Sequence, residues 1–97
     1  MVIIGTVSYP TESQKEMIKR FMGYPPLPGY ITIKGPYGKG VLGEGNKAIT
    51  IYECDKSRLA DAIEYVYQRL ATCIGVPGFT YSIEVCLEAP EGIKIFK

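Results

Sequence analysis

The sequence predicts an α+β domain with the element order β-α-β-β-α-β, an antiparallel sheet carrying two helices on one face. Three observations carry that expectation. Apolar residues alternate with a period of two in some segments and recur at helical spacing in others, in that order along the chain. The glycine-rich stretch "GPYGKGVLGEGNK" (35–47) falls between two strand-like segments. No linker or internal repeat divides the 97 residues, a length that fits one domain. At this size only about 60–70% of the unfolded chain's surface is buried on folding, so a second copy would add stability.

"VIIGTVSY" (2–9) is rich in β-formers and apolar on both alternating faces, which suits a central strand. Thr11 followed three residues later by Gln14 has the form of a capping box. Met17, Ile18, Phe21 and Met22 then recur at helical spacing until Gly23, where a left-handed residue can end the helix, so helix one is expected over 12–22. "YPPLPG" (24–29) cannot continue it, because its prolines lack donors and restrict the residues before them. A rigid connector fits better than a P-x-x-P ligand.

"YITIK" (30–34) alternates Ile31 and Ile33 with Tyr30, Thr32 and Lys34, and "AITIYEC" (48–54) alternates Ile49 and Ile51 with Thr50, Tyr52 and Cys54. From Ser57 the period changes. Leu59, Ala62, Ile63, Val66, Leu70 and Cys73 form one helical stripe, with Asp55 or Ser57 available as cap and Gly75 and Pro77 as the stop. Tyr65 and Tyr67 cannot both join that stripe, which leaves one of them for the surface. "FTYSIEVCLE" (79–88) returns to strict alternation, with Phe79, Tyr81, Ile83, Val85 and Leu87 on one side. After the turn-like "APEG", "IKIF" (93–96) has the pattern of a short fifth strand that could pair across a dimer.

Gly38, Gly40 and Gly43 spell G-x-G-x-x-G, a phosphate-cradling spacing elsewhere. A dinucleotide fingerprint needs a helix after the glycines, and here a strand follows. The stretch therefore reads as a long, bulged hairpin in which Gly35, Gly38, Gly40, Gly43 and Gly45 take positive φ. Tyr37, Lys39, Asn46 and Lys47 are its candidate contact residues, in a lid or against a partner.

Hydrophobic residues at 46% and charged residues at 22% place the chain among ordinary globular proteins. A net charge of +1 without a basic run provides no electrostatic footprint for nucleic acid. No apolar run approaches the roughly 20 residues of a membrane span, and "MVIIGTVSYP" lacks the basic flank of a signal peptide, so a cytoplasmic location is expected. Cys54, Cys73 and Cys86 form an odd set without C-x-x-C spacing, and the chain has no histidine. Zinc spacings cannot be written, reduced thiols are expected, and no metal or cofactor is called for.

If the isoleucine faces of strands two, three and four cover the helices, the opposite face carries Thr32, Lys34, Thr50, Tyr52, Cys54, Ser82, Glu84 and Cys86. A sheet wetted on one side produces such an alternation by itself. The functional reading stacks two copies of this face around a pocket. Lys34, Tyr52, Cys54, Ser82, Glu84 and Cys86 would then line it, with Glu84 as a partly desolvated carboxylate and Tyr52 as its candidate catalytic companion. Cys54 and Cys86 read as small hydrophobes rather than metal ligands.

In element order, length and the short tail after "SIEVCLE", the chain resembles the ferredoxin-like domains of the dimeric α+β barrel superfamily. The resemblance implies a homodimer whose two sheets meet face to face. Monooxygenase branches of that superfamily rely on His, Trp or Asn, and this chain has no His, no Trp and only Asn46. The leading expectation is a homodimeric small-molecule binding or sensing module with its pocket on the sheet face. The alternatives are a cofactor-independent isomerase or oxygenase acting on a small carbonyl or phenolic compound, and a structural subunit that assembles through edge strands.

Overall fold

The computed structural model describes residues 1–41, 45–90 and 95. The elements are β1 (Val2–Tyr9), α1 (Gln14–Met22), β2 (Thr32–Val41), β3 (Gly45–Glu53), α2 (Leu59–Ala71) and β4 (Thr80–Cys86), with single 3-10 turns at Thr11–Ser13 and Lys56–Arg58 leading into the helices. The sheet is antiparallel throughout and ordered β2-β3-β1-β4, so the first and third strands are central, as their apolar character requires. This small α+β arrangement is compatible with a ferredoxin-like layout.

The core lies between the helices and one face of the sheet. Its members are Ile3 and Val7 of β1, Met17 of α1, Tyr52 of β3, and Ala62, Tyr65, Val66 and Leu70 of α2, closed by Ile31, Cys73 and Val76. The stripe on α2 is thus the buried one. Tyr65 joins it at 5% exposure while Tyr67 stands 51% exposed, so the two tyrosines divide as their spacing demands. In α1 the apolar stripe is narrower than expected: Met17 is buried and Phe21 half-buried, whereas Ile18 and Met22 are exposed. A helix this short offers one row to the sheet, and the neighbouring row remains in water.

The helix ends differ from the capping expectations. No side-chain cap closes either helix, and Gly23 sits at φ −93 rather than in the left-handed region. Ser13 precedes α1, but its Oγ donates to the Pro77 carbonyl at 2.6 Å, tying the start of α1 to the turn before β4. Arg20 performs a second long-range tie. Its Nη1 donates to the Thr72 carbonyl at 2.8 Å, just past the end of α2, where a cation also meets the negative end of that helix.

The glycine-rich stretch belongs to a long hairpin. β2 runs on to Val41 and β3 begins at Gly45, so both strands extend well into the segment that composition marks as loop. Of its glycines, Gly35 and Gly45 take positive φ, at 97° and 92°; Gly38 and Gly40 do not, and Gly43 lies outside the described residues. Extended backbone suits a glycine as well as a turn does, and strand pairing decided the matter. A bulge between Lys34 and Tyr37 inserts one extra residue, and the backbone of Gly35 and Pro36 absorbs it.

Most of "IKIF" lies outside the described residues. Ile95, together with Ala89 and Pro90 before it, has helical backbone rather than the turn-then-strand pattern.

Candidate functional site

β3 presents the opposite face from the one its isoleucines suggest. Across the central pair, Ile3 faces Tyr52, Gly5 faces Thr50 and Val7 faces Ala48, and directly opposed residues share a face. Ile3, Gly5 and Val7 are buried under the helices, so Thr50 and Tyr52 are too, with Tyr52 at 1% exposure. Ile49 and Ile51 point to the open face, level with Thr6 and Ile4.

The cause is steric. Gly5 has no side chain, and a Cβ built there would stand 3.2 Å from the Tyr52 ring. The ring fills the space that a larger residue would take. Alternation in "AITIYEC" offers two buryable rows, and the vacancy at Gly5 selects the row that carries the ring.

The expected sheet-face constellation is therefore split. Lys34, Ser82, Glu84 and Cys86 remain on the open face with Thr32, where Lys34 Nζ pairs with Glu53 Oε1 at 2.9 Å. That carboxylate, and not a substrate group, raises the Lys34 pKa. Thr50 and Tyr52 belong to the other face, and Cys54 packs against the core, where burial pushes its thiol up. Tyr52 and Glu84 lie on opposite sides of the sheet, so within one chain they cannot act as a pair. Among the hairpin residues, Tyr37 pairs with Ile49 on the open face and Lys39 lies opposite Lys47. Asn46 turns to the helix side and keeps a buried Nδ2 without a partner.

Beneath the helices the split leaves a cavity of about 250 Å³. Gly5, Val7, Ala48, Thr50 and Tyr52 form its floor, Phe21 and Tyr24 one wall, Leu70 and Arg69 the roof, and Pro36 of the bulge borders it from β2. The wall is aromatic and ordered. Phe21 meets Tyr24 edge to face at 5.4 Å and Tyr9 at 6.4 Å.

Arg69 is the cation of this cavity. Its guanidinium carbon stands 4.4 Å over the Tyr24 ring and 5.7 Å from that of Tyr52, both within cation–π reach. Nη1 donates to Tyr65 Oη at 3.4 Å, and that hydroxyl donates in turn to the Pro25 carbonyl at 2.9 Å. Nε is buried and has no hydrogen-bond partner, and no carboxylate pairs with Arg69 among the described residues. Among the described residues, no Asp or Glu lines the cavity.

The phenols are held in their neutral form. Burial raises Tyr24 far above its ordinary value, with a hydrogen bond to Cys73 Sγ at 3.5 Å adding to the effect and Arg69 opposing it. Burial likewise raises Tyr52, against the pull of Arg69 and the Thr50 hydroxyl. Such groups donate hydrogen bonds at neutral pH and do not serve as bases there.

Arg69, Tyr24, Phe21, Pro36 and Gly5 were absent from the sequence-derived site. A signal existed for one of them: Arg69 lies three residues after Val66 and four before Cys73, on the apolar stripe of α2. A cation on a buried stripe needs a reason. The others become site residues only through the sheet register and the connector's path. No protein-family model matches the chain, nor does any curated protein or solved structure.

Proposed function

We propose that the protein is a small-molecule binding module whose ligand sits in the cavity between the helices and the sheet. One observation carries the reading: an apolar, aromatic-walled cavity with a cation whose buried Nε has no partner. Binding sites combine an apolar lining with a few polar groups that fix orientation, and this one offers Arg69, Tyr24, Tyr52 and Thr50. Binding is favoured over catalysis because the described lining residues include no carboxylate or histidine, and its phenols stay protonated. An isomerase or oxygenase needs a group that accepts a proton, and Glu84 lies across the sheet.

The homodimer belongs to the same proposal, within the ferredoxin-like, dimeric α+β barrel architecture. Val2, Ile4, Ile49 and Ile51 form an apolar centre on the open face, and Lys34, Glu53 and Glu84 give it a rim of both charges. A second copy rotated by half a turn can match that rim with itself. In this arrangement the dimer stabilises a small domain and leaves the ligand pocket within each protomer.

The test is a screen of small neutral and charged aromatic fragments followed by amide NMR. The proposal expects binders to shift Gly5, Val7, Ala48, Thr50 and Tyr52 above all. Shifts confined to Thr32, Lys34, Ser82 and Glu84 would move the site to the open face and reject it.

A further inference from the structure

We infer that the cavity takes a small aromatic monocarboxylate, with the carboxylate on the Nε edge of Arg69 and the ring among Phe21, Tyr24 and Tyr52. The inference rests on the proposed binding cavity and adds the ligand's charge, size and shape.

Charge comes first. A guanidinium nitrogen removed from water needs a hydrogen-bond acceptor, and a buried donor left unmade costs more than one exposed to solvent. The Tyr24 and Tyr52 rings and the Tyr65 hydroxyl satisfy part of Arg69, but Nε donates to nothing. Among the described residues, no carboxylate of the lining completes it. The missing partner is an anion, and a planar two-oxygen acceptor matches the guanidinium fork better than a halide does. One cation and no anion among the described lining residues select a single negative charge.

Size and shape follow from the walls. With liquid water occupying about 30 Å³ per molecule, the space of about 250 Å³ holds a ligand of roughly eight or nine non-hydrogen atoms. The rings of Phe21, Tyr24 and Tyr52 are flat and Pro36 is apolar, and together they suit a planar ring better than a flexible chain. The neutral phenol of Tyr52 can donate to the same carboxylate or to a ring substituent, whereas the Tyr24 hydroxyl is engaged with Cys73 Sγ. A phosphate ester asks for more cationic charge than the lining supplies.

Benzoate, benzamide and benzylamine serve as probes because they share a ring and differ in charge. Their affinities are compared by NMR titration of the unaltered protein, following the Arg69 Nε–H resonance and the floor amides. Benzoate is expected to bind at least about tenfold tighter than benzamide, the usual effect of a charge-assisted hydrogen bond, and to move the Nε–H signal downfield. Benzylamine should bind least. Arg69→Met should abolish the preference for benzoate over benzamide, with a dispersed amide spectrum as the sign that the domain is still folded. Arg69→Lys, which keeps charge and loses the fork, should fall between them.

Equal binding of benzoate and benzamide in the floor amides would overturn the ligand class and leave the binding cavity standing. No response of the floor amides to any of the three would overturn both. Where Arg69→Met does not fold, the comparison of the three probes on the unaltered protein decides alone.

Discussion

Exchanging Tyr52 and Ile51 in separate variants measures which face of β3 is buried. Tyr52→Ala removes a ring that is 1% exposed, lies over Gly5 and belongs to the core with Ile3 and Val66. Large-to-small changes of buried aromatics cost about 3–5 kcal/mol, and the lower end applies because one side of the ring already borders the cavity. Ile51→Thr keeps a β-branched residue on the open face, level with Ile4, and should cost under about 1 kcal/mol in the monomer. Against a total of roughly 5–15 kcal/mol, the first loss is large and the second is small. Urea unfolding followed by far-UV circular dichroism reads both, and dilute protein keeps association out of the comparison. If open faces pair, the Ile51→Thr penalty should grow with protein concentration while that of Tyr52→Ala stays constant. A cheap Tyr52→Ala with a costly Ile51→Thr at low concentration would refute the register and return Tyr52 to the open face.

Gly45→Ala should destabilise by about 2 kcal/mol or more, because φ is +92 and the new Cβ would sit 2.5 Å from the Tyr9 carbonyl oxygen; thermal melts check it, and an unchanged Tm would contradict the strand pairing there. Ser13→Ala should cost about 1–2 kcal/mol through loss of the bond to the Pro77 carbonyl, read by urea unfolding against the parent. Stability should fall as pH rises above about 10, since Tyr24 and Tyr52 keep their protons in the folded chain beyond the ordinary value of 10.0 while the unfolded chain loses them. That stabilisation is fully present below pH 10, and Tyr24→Phe should shallow the alkaline decline seen in melts across pH 9 to 11; a slope identical to the parent's would show that Tyr24 titrates normally.

Element order was legible because period and punctuation agree along the chain. The stripe on α2, the alternation of β4 and the apolar β1 each admit one placement, and the structure has them so. β3 admitted two, because threonine, tyrosine and cysteine bury as readily as they face water, and the decision lay with Gly5 on a different strand. The capping box of Thr11 and Gln14 failed because a 3-10 turn occupies Thr11–Ser13 and α1 starts only at Gln14, and the residue then at the cap, Ser13, has a long-range acceptor in Pro77 that no local pattern announces. Strand lengths in the hairpin were underestimated because glycine composition marks a loop even where the backbone pairs in a ladder. The site inherits these errors. Lys34, Ser82, Glu84 and Cys86 hold their face, whereas Tyr52 and Cys54 change company, and Arg69 enters from a helix that was read for its apolar residues alone.

The location of the ligand can be read from methyl groups on the two sides of the sheet. Val7, Ala48 and Leu70 line the cavity, and Ile4, Ile49 and Ile51 occupy the open face. With methyl-labelled protein and a bound aromatic carboxylate, intermolecular nuclear Overhauser effects should join the ligand's ring protons to Val7, Ala48 and Leu70. Contacts to Ile4, Ile49 and Ile51 in their place would put the ligand on the opposite face and contradict the assignment of this cavity as the binding site.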